Sequence, residues 1–165
     1  IGICNGFQAL VKSGLLPYGN FEDATETSPT LFYNDADQHV AKMVETRIAN
    51  TNSPWLAGVE VGDVYAIPVS HGEGKFVVTD EEFAELRDNG QIFSQYVDFD
   101  GKPSMDSKYN PNGSVNAIEG ITSKNGQIIG KMGHSERYED GLFQNIPGNK
   151  DQHLFRSAVE YFTKA

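Results

Sequence analysis

The sequence is short of cysteine, of positive charge and of long apolar runs, and each shortage closes off a class of protein. A single cysteine, Cys4, in 165 residues rules out an internal disulfide and leads us to expect a cytoplasmic setting. Thirteen Lys and Arg against 23 Asp and Glu leave a formal charge of −10. That is the wrong sign for a surface that tracks a phosphate backbone, so no nucleic-acid partner is expected. No apolar run of roughly 18 residues occurs, which argues against a membrane-spanning helix. The first residues lack the basic-then-apolar order of a signal peptide. His39, His71, His134 and His153 are scattered, with no cysteine pair or H-E-x-x-H spacing, so no metal site is expected. "GEGK" and "GQIIGK" lack the spacing and following hydroxyl of a phosphate-binding loop, and "DFDG" is too short for a calcium loop.

A hydrophobic content of 38% and a charged content of 22% describe an ordinary globular domain, long enough to bury a core. "NGFQALVKSGLLP" after Cys4 predicts a short helix, ended by Gly14 and blocked by Pro17. Residues 18–30 predict a loop, and the alternation of Val40, Lys42, Val44, Thr46 and Ile48 favours a strand. "DVYAIPVSHGEGKFVV" reads as strand, loop, strand. Thr79 with Glu82 forms a capping box before a helix that Gly90 ends, "QIFSQYV" alternates as a strand, and 98–114 is a long polar loop. Asn125-Gly126 marks a hairpin between Ile121 and Ile128-Ile129. Leu154, Phe155, Ala158, Val159 and Phe162 fall at helical spacing, an amphipathic final helix. Strand and helix alternate, which predicts an α/β fold with a mixed sheet.

Cys4 lies in a G-x-C-x-G pattern, Gly2 and Gly6 on either side. Two readings stand at this point: a small buried hydrophobe, or a nucleophile on a sharp strand-to-helix turn whose crowding the glycines relieve. On such a turn the sulfur sits at a helix N-terminus, where amides favour thiolate and a developing oxyanion. A thiol nucleophile needs a base, and the base needs an orienting group. "GHSER" offers both, His134 and Glu136, spaced to leave one face of a strand together. "VSHGEGKF" and "NPNGS" are either simple turns or the walls of a polar pocket. Only Ile1-Gly2-Ile3 is left to form the strand before Cys4, so we expect the chain to begin inside a domain whose first strands lie upstream.

Together, "GICNGFQALVKSGLLP", "PVSHGEGKF" and "NPNGSVNAIEGITSKNGQIIGKMGHSER" resemble the class I glutamine amidotransferase domain of phosphoribosylformylglycinamidine synthase, in its long single-chain form. The resemblance spans nearly all of residues 1–165, the C-terminal part of one such domain. It implies a flavodoxin-like, three-layer α/β/α fold with a mixed sheet and without its N-terminal strands. It implies Cys4 as nucleophile, His134 as base and acid, and Glu136 as its orienter. Gln8 and the Ser70-His71-Gly72 backbone would surround the substrate glutamine, with Asn110 and Asn112 as pocket wall. The Asn5 amide, with a second amide from an upstream loop, would hold the oxyanion. Many relatives carry prolines beside the histidine, where this chain has Gly133 and Ser135, so a looser local backbone is expected.

The implied reaction is hydrolysis of glutamine through a Cys4 thioester. The ammonia would pass to a synthetase domain of the same full-length chain, which uses ATP and Mg to amidate formylglycinamide ribonucleotide. No cofactor is expected in this domain. Two other classes remain: a catalytically silent fragment acting as an interaction module, and a non-enzyme with a redox-sensing or structural thiol.

Overall fold

The computed structural model describes residues 1–164. In chain order the elements are β1 (Gly2–Ile3), α1 (Asn5–Lys12), α2 (Leu15–Tyr18), β2 (Thr30–Phe32), β3 (Val40–Ile48), β4 (Val64–His71), β5 (Lys75–Val77), α3 (Asp80–Asp88), β6 (Ile92–Val97), β7 (Ile118–Thr122), β8 (Ile129–Lys131) and α4 (Leu154–Phe162). Three short 3-10 turns, at 54–56, 115–117 and 135–137, join them.

Six strands form one mixed sheet in the order β1-β8-β7-β6-β3-β4, and β2 with β5 makes a separate two-stranded ribbon. β1 runs parallel to β8, and the remaining pairs in the sheet are antiparallel. The β7–β8 hairpin turns where Asn125-Gly126 predicts it, with Gly126 at φ 71°.

Both faces of the sheet are buried, which makes three layers. On one face Phe7 and Val11 of α1 and Leu86 of α3 pack with Ile92, Ile118 and Ile121. On the other, Leu56 of the 54–56 turn and Leu154 of α4 pack with Ile48, Ile67, Phe93 and Ile129. Adjacent Ile92 and Phe93 thus serve opposite cores, and β6 is buried at every residue but the half-buried Gln95 instead of alternating as its sequence suggests. Phe7 is fully buried and stacks on Phe76 at 6.0 Å. Its loss to Ala would cost about 3–5 kcal/mol.

The final helix differs from its sequence pattern. It buries Leu154, Ser157 and Ala158, while Phe155, Val159 and Phe162 are exposed. Beyond Leu154, the helix turns small residues, not its large ones, to the domain. Among the described residues no helix is long and apolar enough to cross a membrane.

Candidate active site

The site forms where β1 and β8 end side by side. The two strands are parallel, with Ile3 opposite Lys131, so the chain leaves both at the same edge. Cys4 follows β1 directly. Its amide donates to the Lys131 carbonyl at 2.8 Å, and its backbone turns to φ 53°, ψ −109° before α1 begins at Asn5. A left-handed φ on a non-glycine residue is strained by about 1–3 kcal/mol and persists only where the surroundings hold it. The strand on one side and the helix on the other supply that hold.

The two flanking glycines differ. A Cβ on Gly2 would lie 2.5 Å from the Gly6 carbonyl oxygen and 2.6 Å from Leu10, whereas one on Gly6 would meet nothing within 4 Å. Only Gly2 is required by the close approach of strand to helix.

The far end of the sheet closes the site. The outer edge of β4 carries Pro68, which has no N–H to offer and suits an edge position. Its carbonyl accepts the His134 amide at 2.8 Å. Two residues on, the Ser70 carbonyl faces the Cys4 thiol, with Sγ at 3.8 Å. The Cys4 thiol and the His134 backbone are thus tied to successive outward-facing carbonyls of one strand.

His134 is buried, and its Nδ1 lies 2.6 Å from Glu136 Oε1. A carboxylate acceptor calls for a proton on Nδ1, so the neutral ring paired this way has Nε2 as its basic nitrogen. Nε2 is buried with no hydrogen-bond partner among the described residues. The sequence reading expects His134 and Glu136 to meet by strand alternation. In fact β8 ends at Lys131, and His134 caps the 3-10 turn Ser135–Arg137. The turn, not a pleat, brings carboxylate to ring.

Burial pushes the Cys4 thiol above its ordinary range, opposed by the Asn5 N–H and the Arg137 charge. A thiol held protonated in this way would need a neighbouring base before it could act as a nucleophile.

Beside Asn5 lies a cleft of about 550 Å³, lined by Gln8, Thr25, Ser28, Thr30 and Glu73 among others. Gln8 Nε2 donates to the Glu73 carbonyl at 2.7 Å, joining α1 to the 71–74 turn. Ser70 Oγ is paired with His39 Nε2 at 3.1 Å, and the Gly72 carbonyl accepts the Asn34 amide. The His71 ring is buried, and burial pushes it down to about 4.

Asn110 and Asn112 sit elsewhere than the sequence reading expects. Both are fully buried, and both side-chain oxygens accept the Ser114 amide at 3.1 Å. Asn112 Nδ2 donates to Tyr96 Oη at 2.9 Å, and Ser114 Oγ takes the Phe76 amide. The two asparagines brace the 71–76 segment from behind and do not line the cleft. Their polar atoms are spent on Ser114 and, for Asn112, on the Tyr96 hydroxyl, which sequence alone does not reveal.

Sequence reasoning passes over Asn34, Glu119, Lys131 and Gln152, all buried. A signal for two of them exists: Glu119 and Lys131 are opposite charges set into the apolar strands of one hairpin. Among the described residues no group of three or more His, Cys, Asp or Glu is placed to hold a metal ion.

A strained cysteine at a strand-to-helix elbow and a histidine with a carboxylate behind it, both tied to one edge of β4, are the parts that a thiol-nucleophile acyl-transfer site requires. The profile of the CobB/CobQ-like glutamine amidotransferase domain matches residues 1–162, and the chain belongs to that family. The chain is similar to phosphoribosylformylglycinamidine synthase subunit PurQ of Thermomicrobium roseum, 39% identical over 140 residues, which is 85% of this chain and 54% of the relative. The same-named subunit of Gloeobacter violaceus is 35% identical over 159 residues, 96% of this chain and 62% of the relative. The solved structure of PurLQS from Thermotoga maritima superimposes with a TM-score of 0.69 at 27% identity, over 98% of this chain and 60% of that one. The chain thus spans less than two thirds of the length of these relatives.

Proposed function

We propose that this chain is the glutaminase region of a phosphoribosylformylglycinamidine synthase, with glutamine as substrate and a synthetase as partner. The observation that carries the reading is the joint placement of the Cys4 elbow and the His134–Glu136 pair, 2.6 Å between ring and carboxylate, on one edge of β4.

In this reading His134 Nε2 takes the Cys4 proton as Sγ attacks the side-chain carbonyl carbon of glutamine. Negative charge collects on the carbonyl oxygen, toward the Asn5 amide at the start of α1. The protonated ring then gives its proton to the amide nitrogen, the C–N bond breaks, and ammonia leaves a γ-glutamyl thioester on Cys4. His134 next takes a proton from water, hydroxide oxygen adds to the thioester, and glutamate departs as the thiol recovers its proton. Glu136 keeps the ring oriented and balances its charge in both halves.

Ammonia made here serves a ligase reaction, and the synthetase supplies the ATP- and Mg-dependent activation of formylglycinamide ribonucleotide. In this reading the protein works in the cytoplasm.

The test is intact-mass analysis of the full-length protein after incubation with an electrophilic glutamine analogue, with Cys4→Ser as control. One adduct on Cys4, suppressed by glutamine, is the expected result. Labelling that glutamine leaves unchanged, or none at all on folded protein, sinks the reading in favour of a silent interaction module.

A further inference from the structure

The β7–β8 hairpin carries two charges into the core. Glu119 and Lys131 are both fully buried, with Oε1 and Nζ 3.4 Å apart. A buried ion pair is rarely more stabilising than apolar residues of the same volume, so its use is sought in what its atoms reach. Glu119 Oε1 accepts the Gly133 amide at 2.7 Å. Lys131 Nζ donates to Ser135 Oγ at 2.7 Å and to Gln152 Oε1 at 3.0 Å. Gly133 and Ser135 are the residues on either side of His134.

Three further observations agree. A Cβ on Gly133 would lie 2.8 Å from Glu119 Oε1 and 3.4 Å from Lys131 Nζ, so the pair packs directly against the loop backbone. The β6–β7 register slips between Ser94↔Gly120 and Gln95↔Ile118, leaving Glu119 as the extra residue. Such a bulge re-aims a side chain beside a site. Glu119 Oε2 and Gln152 Nε2 are buried without partners among the described residues, which a network built for stability alone would satisfy.

We propose that Glu119 and Lys131 are positioning residues for His134: a buried ion-pair clamp that holds the Gly133 amide on one side of the imidazole and the Ser135 hydroxyl on the other, and so sets where Nε2 stands relative to Cys4 Sγ. The role rests on the glutaminase reading of Cys4, His134 and Glu136. Glu136 aligns the ring through Nδ1, and the Pro68 carbonyl takes the His134 amide. The clamp holds the two neighbouring residues, which the short side chains at 133 and 135 leave free to move.

The experiment uses the full-length protein carrying Glu119→Leu with Lys131→Met, which removes both charges at similar volume and strands neither. Ser135→Ala removes only the hydroxyl that Lys131 reaches. Melting temperature, kcat and KM for glutamine, and the pH profile of Cys4 alkylation by iodoacetamide are measured, with His134→Ala as reference. The double variant is expected to stay folded, to lose about 10- to 100-fold in kcat with KM within about twofold, and to alkylate with the profile of His134→Ala. Ser135→Ala shifts the same way by less. Parental kcat and alkylation profile in both variants overturn the proposal and leave the pair a core element.

Alkylation needs no glutamine. A parent that alkylates in a His134-dependent way without hydrolysing glutamine therefore sinks the glutaminase reading while the clamp is still tested.

Discussion

Asn34 donates its side-chain amide to the His71 carbonyl at 2.8 Å, across 37 residues of sequence. The same side chain donates to the Gln38 carbonyl at 3.0 Å and accepts the Gly74 amide at 3.1 Å. One buried residue therefore sets the shape of the turn that follows β4, and that turn presents the Glu73 carbonyl to Gln8. Asn34→Ala leaves those backbone groups without partners, at a cost of about 1–3 kcal/mol. The expected outcome is a lower urea midpoint with a raised KM for glutamine. An unchanged midpoint and KM would show that the turn holds itself.

Glu136→Gln keeps the shape of the side chain and removes its charge. Gln presents either an oxygen or an amide to Nδ1, so the tautomer with a free Nε2 is no longer enforced. Because Glu136 is 40% exposed, water partly compensates, and kcat for glutamine is expected to fall by about 10- to 100-fold. Steady-state kinetics on the full-length protein check this. An unaltered kcat would remove Glu136 from the mechanism.

Gly2 and Gly6 separate by stability. Gly2→Ala drives a methyl into the Gly6 backbone, which has little freedom to yield, and is expected to destabilise by about 1–3 kcal/mol. Gly6→Ala adds a methyl in open space within α1 and is expected to stabilise by about 0.5–1 kcal/mol. Paired denaturation curves decide between this and equal effects at both positions.

His71 gives the fold an acid limit. Its ring nitrogens are buried without partners among the described residues. Burial, helped by His134 and His39 and opposed by Glu119, holds the ring near 4 against an ordinary 6.5. Between those values the unfolded chain binds a proton that the folded chain refuses. Stability from this group is therefore complete above the ordinary value and lost as pH falls toward about 4, by at most about 3 kcal/mol. His71→Leu is expected to flatten the slope of unfolding free energy over that window, measured by urea titration at several pH values. An equal slope in parent and variant would assign the acid limit to other groups.

Much of the local order is legible in the sequence because it depends on neighbours a few residues apart. The Asn125-Gly126 turn, the Thr79 cap with its 3.2 Å bond from the Glu82 amide, the Gly14 stop and the period-two run of β3 are all short-range facts. So is the pairing of His134 with Glu136, although the turn that joins them is not the strand the spacing suggests. Cys4 stands out as the one cysteine, set between two glycines, although spacing by itself leaves it either a buried thiol or a nucleophile.

What sequence could not decide is what depends on faces and closure. Which side of α4 is buried turns on what lies opposite it, and the domain accepts Ala158 while leaving Val159 outside. Asn110 and Asn112 have the composition of a pocket wall, yet hydrogen-bond accounting in a buried loop draws their amides inward. Meeting of the β4 edge with Cys4 and His134 requires a curled sheet, set by pairings among strands far apart in the chain. Residue types and their spacing determined the chemistry available to this protein. Only the tertiary structure decided which groups stand together to perform it, because burial and hydrogen-bond satisfaction are properties of the whole fold.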